Sequence, residues 1–155
     1  MKRIIKLSLF IVMLVGVFTF TGCGKKEALT AETFKTTAAE KGYEVTDITE
    51  YITSEDITSA QIALKTNAYQ IEFYVAKDEK GAKAGYEQYI ANLEAVAGTS
   101  GTKGKETTSK TGAKYIDENG DYYSVVSRLD NTYLYVRAAK TYSAEIAKVV
   151  SELGY

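Results

Sequence analysis

The chain of 155 residues contains no histidine, no proline and no tryptophan, and it has a single cysteine. Without histidine, catalysis by Ser-His-Asp or Cys-His groups is excluded, and so are metal sites and pH switches built on imidazole. Without proline, no turn depends on a cis-prolyl bond. The chemistry of the side chains is therefore left mainly to carboxylates, lysines, hydroxyl groups and tyrosines, of which there are 13.

The single cysteine, Cys23, ends an N-terminal segment with three distinct parts. The segment begins with three basic residues, Lys2, Arg3 and Lys6. A run of apolar and uncharged residues follows from Leu7 to Phe20, which is the layout of a secretory signal peptide. The sequence Phe20-Thr21-Gly22-Cys23 then resembles the lipobox of bacterial lipoproteins, with Phe20 at the position where leucine is usual.

The resemblance implies that residues 1–22 are cleaved and that Cys23, linked to a diacylglycerol, becomes the first residue of the mature protein. It implies anchoring in the cell membrane on the extracytoplasmic face, with residues 23–29 as a short tether and residues 30–155 as one domain. The alternative is a transmembrane anchor, but the uncharged stretch 7–22 is shorter than the about 20 residues that span a bilayer. With Cys23 lipidated, the domain has no thiol for a disulfide, a redox motif or a metal.

The charge of the domain argues against one class of partner. Cleavage after residue 22 removes three basic residues, so the formal net charge changes from −1 to −4. A mildly acidic domain is a poor ligand for nucleic acid, which requires clustered lysine and arginine. We expect no nucleic-acid partner and no cofactor.

The hydrophobic periodicity predicts alternating blocks of helix and strand. Helices are predicted at 31–41 after the cap Thr30, at 79–97 after the cap Asp78, and from Thr141 onward. Strands are predicted at 43–52 with a bulge, 58–65, 68–76, 105–109, 113–116, 121–129 and 132–139. The order α-βββ-α-ββββ-α with short connections predicts an α+β domain, in which helices pack on an antiparallel sheet of about six to seven strands.

Two hairpins have a register that the sequence predicts. A two-residue turn at Thr66-Asn67 would pair Ile62 with Ile71 and Ala60 with Phe73 on one apolar face. A turn at Asp130-Asn131 would pair residues of the later strands, namely Arg128 with Tyr133, Val126 with Tyr135 and Ser124 with Arg137. The opposite face of that second hairpin is apolar and is predicted to be core.

The second hairpin supplies the candidate binding patch. Tyrosine rings and guanidinium groups share one face, and together they suit an anionic or saccharide ligand. The patch consists of Tyr122, Arg128, Tyr133, Tyr135 and Arg137. The alternative is that a helix or loop covers this face and that each hydroxyl group is hydrogen-bonded locally.

No catalytic motif has the spacing that it needs. The glycine-rich stretch 98–114 lacks the spacing of a phosphate-binding loop, and Asp117, Asn119 and Asp121 lack the rest of a calcium loop. We therefore expect a non-enzymatic domain that binds a small ligand or an envelope protein. The alternative is a hydrolase of cell-envelope material that uses paired carboxylates or a Ser/Lys arrangement.

Overall fold

The sheet dominates the architecture. A computed structural model describes residues 27–97 and 103–155. Its helices are α1 (Ala31–Glu40), α2 (Glu79–Ala97) and α3 (Ser143–Glu152). Its strands are β1 (Glu44–Asp47), β2 (Ile57–Lys65), β3 (Tyr69–Ala76), β4 (Lys105–Thr108), β5 (Gly112–Asp117), β6 (Tyr122–Leu129) and β7 (Thr132–Ala139). The seven strands form one antiparallel sheet in the order β1-β2-β3-β7-β6-β5-β4, which confirms the predicted α+β fold.

The sheet is covered on both faces. Helices α1 and α3 pack on one face, which we call the α1/α3 face, and α2 packs on the other, the α2 face. The core under α1 and α3 includes Phe34, Ala38, Ile71, Phe73, Val125, Leu134, Val136, Ile146, Val150 and Leu153. The core under α2 includes Ala60, Tyr74, Ala76, Ala82, Tyr86, Leu93, Tyr115, Val126 and Tyr133. The domain is therefore a three-layer sandwich of helix, sheet and helix.

Both ends of the first helix have local signals, and the predicted cap Thr30 is confirmed. Thr30 accepts a hydrogen bond from the backbone N–H of Thr33 at 3.1 Å, which satisfies one of the free donors of the first turn. Gly42 has a φ of +83°, a left-handed conformation that ends a helix without steric cost when the residue is glycine. Phe34 stacks on Phe73 with ring centroids 4.3 Å apart, so α1 is fixed to the centre of the sheet.

The register of the second hairpin is confirmed. Arg128 lies opposite Tyr133, Val126 opposite Tyr135 and Ser124 opposite Arg137. The face of the hairpin that the sequence assigns to the core is buried under α1 and α3.

The predicted register of the first hairpin is wrong by one residue. Ala63, not Ile62, lies opposite Ile71, because the loop holds the three residues 66–68 instead of two. Asn67 adopts a φ of +59°, and asparagine tolerates this left-handed conformation better than most residues. As a result Gln61 is buried on the α1/α3 face, opposite Phe73. Glu72 and Tyr74 lie on the α2 face in either register, because they alternate with Ile71 and Phe73 along β3.

The first strand is shorter than predicted. β1 ends at Asp47, whose carboxylate accepts the backbone N–H of Thr49 at 2.8 Å. A 3-10 turn, Thr49–Tyr51, replaces the predicted bulge. Ile48 and Ile52 beside it pack against the core under α2 and are partly buried without being strand, whereas Tyr51 is exposed.

The predicted signal peptide and Cys23 lie outside the described residues. Of the predicted tether 23–29, the structure describes the last three residues, and two of these, Ala28 and Leu29, pack against the core under α1 and α3. Within residues 27–97 and 103–155, no helix is long and apolar enough to cross a membrane.

Candidate functional site

Helix α2 crosses the face that carries the predicted binding patch. Tyr133 lies beneath it with 5% of its surface exposed, and its ring stacks on that of Tyr74 with centroids 4.7 Å apart. The close approach requires Gly85 of α2, where an added Cβ atom would lie 2.4 Å from the Tyr133 ring. Tyr133 is thus buried beneath α2 and has little surface for a ligand, as the alternative interpretation of the sequence anticipates.

Tyr135 is half-buried and belongs to the same arrangement. Its ring stacks on Tyr89 of α2 with centroids 4.4 Å apart, and Tyr89 in turn lies 6.1 Å from Tyr133. We call Tyr74, Tyr89, Tyr133 and Tyr135 the tyrosine cluster. Stacked and tilted pairs at these separations stabilise beyond the area that they bury, so the cluster is mainly the contact between α2 and the sheet.

Glu72 is the acceptor at the edge of the tyrosine cluster. Its Oε2 accepts hydrogen bonds from the hydroxyl groups of Tyr74 at 2.8 Å and Tyr89 at 2.6 Å. Burial raises the pKa of both tyrosines above the ordinary value of 10, and it raises the pKa of Tyr133 to about 12. The hydroxyl groups therefore stay protonated and act as donors. The sequence analysis missed this role of Glu72, because the contact needs Tyr89 of α2, and the position of α2 over the sheet is set by tertiary packing.

Gly85 offers a direct test of the packing of α2. Alanine at an exposed helix position stabilises by about 1 kcal/mol relative to glycine, but in Gly85→Ala the added methyl group would overlap the buried Tyr133 ring. We expect the steric cost to exceed the gain in helix propensity. The free energy of unfolding, measured by urea denaturation, should fall by about 1–3 kcal/mol.

The matched control is Gly81→Ala on the same helix, where the nearest atom would be Ala76 Cβ at 3.2 Å. This variant should change the free energy of unfolding by less than Gly85→Ala does. Equal stabilisation by both variants would contradict the close contact between α2 and the β6–β7 hairpin.

A cavity lies beside the tyrosine cluster, where α2 approaches the hairpin of β4 and β5. Its volume is about 320 Å³, which is at the small end of the range for ligand sites, about 300–1,000 Å³. Its lining residues are Lys83, Tyr86, Glu87, Glu106, Thr108, Ser109, Gly112, Ala113 and Arg128. We call it the charged cavity, because two cations and two carboxylates contribute to its wall.

Arg128 is the predicted patch residue that reaches the charged cavity. Its side chain is 11% exposed, and its Nη1 donates to Glu79 Oε1 at 3.0 Å and to the carbonyl oxygen of Asp130 at 3.4 Å. Its Nε is buried and has no hydrogen-bond partner. The guanidinium group of Arg128 thus has an unused donor beside the cavity. Leaving a buried donor without a partner costs free energy.

The other charged groups of the cavity, Lys83, Glu87 and Glu106, make few interactions within the protein. Lys83 Nζ lies 3.7 Å from Glu87 Oε1, and both side chains are 62% exposed, so this ion pair contributes little. Glu106 Oε1 accepts a hydrogen bond from the hydroxyl group of Tyr86 at 2.8 Å. Burial and this bond raise the pKa of Tyr86, which therefore remains a donor. A ligand can replace the weak pair without a large loss.

The two remaining patch residues lie together at a different place. The guanidinium group of Arg137 lies over the ring of Tyr122, 4.3 Å from its centroid, and Tyr122 is 49% exposed. The structure thus divides the predicted patch into three: Arg128 at the charged cavity, Tyr133 and Tyr135 beneath α2, and Tyr122 with Arg137 near the ends of β6 and β7.

Comparison with known protein families, with curated proteins and with solved structures gave no match to this chain. Within residues 27–97 and 103–155, no group of three or more Cys, Asp or Glu side chains is placed to hold a metal ion.

Proposed function

We propose that the chain is a lipoprotein, anchored in the cell membrane through Cys23 on the extracytoplasmic face, whose domain binds a small ligand without transforming it. The N-terminal segment supports the anchor, because its basic start, apolar run and small residues before Cys23 follow the order of a lipoprotein signal peptide. The charged cavity supports ligand binding, and it is the observation on which the proposal rests.

The short connection to the anchor supports a location near the membrane surface. Leu29 already packs against the core, and α1 begins two residues later at Ala31. Only residues 24–28 would separate the lipidated cysteine from the packed part of the domain. A domain held this closely suits capture of a ligand at the membrane surface.

The lining of the charged cavity indicates the class of ligand. Lys83 and Arg128 supply positive charge, and Glu87 and Glu106 supply negative charge. Charged hydrogen bonds are stronger than neutral ones and favour a ligand of complementary charge. A small zwitterion, with a carboxylate and an ammonium group, would match this wall and the small volume.

The test is calorimetric titration of the domain, residues 23–155 without lipid, with a panel of free amino acids and dipeptides. We expect saturable binding, weakened about tenfold by Lys83→Gln and by Glu106→Gln, since a hydrogen bond to a charged group contributes about 1.5–3 kcal/mol. The matched control is Lys80→Gln, an exposed lysine of α2 outside the cavity, which should bind as the wild type does.

Absence of binding across the whole panel would contradict the proposal. So would an effect of Lys80→Gln equal to that of Lys83→Gln, because binding would then depend on net charge and not on the cavity. Thermal unfolding of each variant checks that the domain remains folded.

The second candidate function is hydrolysis, and one observation favours it: Glu87 and Glu106 line the same cavity. Carboxylate hydrolases use one such group as an acid and the other as a base or nucleophile. If the domain is a hydrolase, either Glu87→Gln or Glu106→Gln should abolish the hydrolysis of dipeptides or envelope saccharides. Binding without any turnover favours the non-enzymatic function.

A further inference from the structure

Three neighbouring strands place polar residues in one row on the α2 face. Asp117 of β5 lies opposite Ser124 of β6, and Ser124 lies opposite Arg137 of β7. Tyr122 stands two residues before Ser124, and its ring meets the Arg137 guanidinium group at 4.3 Å. We call Ser124, Arg137 and Tyr122 the Arg137 corner. It is separate from the charged cavity, since none of its residues lines that cavity.

The guanidinium group of Arg137 has N–H donors that are not hydrogen-bonded. Within the described part of the chain, it makes no hydrogen bond and no ion pair within 4.0 Å, and its Nε is buried without a partner. Arg128, by contrast, is bound to Glu79 and to the carbonyl oxygen of Asp130. Stacking on an aromatic ring holds a guanidinium plane in place and leaves its N–H groups free.

Ser124 is the second unpaired group in the corner. It is 0% exposed, and its Oγ has no hydrogen-bond partner. Buried polar side chains are nearly always paired, and a missing pair carries a cost in free energy. Two such groups lie opposite each other on adjacent strands, so this corner has more hydrogen-bonding groups than the chain pairs.

The charges around the corner favour a singly charged anion. Arg137 and Lys140 are positive, and both act on the carboxylate of Asp117, which is 5% exposed. Burial raises the pKa of Asp117, while a hydrogen bond from Asn119 and the two cations oppose this effect. The carboxylate of Asp117 therefore opposes a second negative charge on the ligand.

We propose that the Arg137 corner binds the carboxylate group of a small ligand. The planar fork of the Arg137 guanidinium group matches the two oxygens of a carboxylate. The half-exposed ring of Tyr122 offers an apolar surface for the rest of the molecule. Phosphate binds less well, because the carboxylate of Asp117 repels its second negative charge.

Nuclear magnetic resonance of the arginine side chains tests the proposal. Residues 23–155 contain two arginines, Arg128 and Arg137, so the Nε–H region of the ¹⁵N spectrum holds two signals, assigned by Arg128→Lys and Arg137→Lys. The probes are sodium benzoate, sodium acetate and sodium phosphate, added at constant ionic strength against sodium chloride. The Arg137 signal should shift saturably with benzoate and acetate, while the Arg128 signal stays in place.

Variants of the Arg137 corner then measure how much each residue contributes to carboxylate binding. Arg137→Gln should weaken benzoate binding at least about tenfold, as expected for loss of a charge-assisted pair, with binding followed by calorimetry. Tyr122→Ala should weaken benzoate binding more than acetate binding, because it removes the ring surface. Ser124→Ala should leave the binding of both probes unchanged, because the Ser124 hydroxyl group has no surface exposed to a ligand.

Two results would overturn the proposal. One is an Arg137 signal that no carboxylate moves, or that phosphate moves more strongly than benzoate. The other is an Arg137 signal that shifts in Asp117→Asn without any probe and does not respond to benzoate, because the guanidinium group would then be paired inside the protein. Binding at the charged cavity would shift the Arg128 signal instead. The two signals therefore test the two proposed sites separately.

Discussion

Phe34→Ala should remove about 3–5 kcal/mol from the free energy of unfolding, the range for loss of a buried aromatic ring. Phe34 is 0% exposed and stacks on Phe73 at 4.3 Å, and Phe73 in turn meets the ring of Tyr155 at 6.4 Å. The substitution leaves a cavity between α1 and the centre of the sheet. The loss is a large part of the about 5–15 kcal/mol that stabilises a domain. Urea denaturation followed by circular dichroism measures it.

Thr36→Ala is the matched control, since Thr36 lies on the same helix and is exposed. It should change the free energy of unfolding by less than about 0.5 kcal/mol. A Phe34→Ala domain as stable as the wild type would show that α1 does not pack on β3.

Cys23→Ala should abolish lipid attachment and leave the uncleaved precursor in cells. The lipoprotein proposal places both lipid attachment and cleavage at Cys23, so loss of its sulfur atom should block both steps. Two acyl chains anchor a protein stably, at about 0.8 kcal/mol for each buried CH₂ group, and no other residue of the chain can replace the thiol. Intact-mass measurement of the protein from membranes is the readout.

The wild-type mass should lack residues 1–22 and include the lipid, whereas the Cys23→Ala mass should equal that of the whole chain. Thr21→Ser keeps a small side chain near the cleavage site and should be processed as the wild type is. Normal processing of Cys23→Ala, with partition into the detergent phase, would contradict the lipoprotein proposal.

The second hairpin shows what a sequence can predict about structure. Asp130 takes a φ of +47° in a two-residue turn, and the alternation of residues on both sides of it allows one register. The predicted helices at 31–41 and 79–97 agree with α1 and α2 to within a residue, because capping residues and periodic apolar positions are local signals.

The first hairpin shows where local signals fail. Both registers place apolar residues on one face, and the difference is a third loop residue, Ala68. The observed register is favoured by Asn67 in the left-handed conformation and by the core under α1, which contacts Ala63, Ile71 and Phe73. Those contacts join residues far apart in the chain, and the sequence pattern of the hairpin does not contain them.

The candidate sites divide in the same way. The sequence identified the face of the β6–β7 hairpin that carries Arg128 and Arg137, because strand alternation fixes which residues share a face. It did not place α2, whose path over Tyr133 and Tyr135 buries the middle of that face. The charged cavity also needs Lys83 of α2 and Glu106 of β4, which come together only through the sheet order.

The amino-acid sequence alone therefore determined the order of helices and strands and the α+β class, since each depends on residues close together in the chain. The tertiary structure decided which tyrosines are buried and which arginines keep unused donors. The reason is physical: burial and pairing depend on where α2 and the edge hairpin of β4 and β5 come to rest, and that depends on packing across the whole sheet.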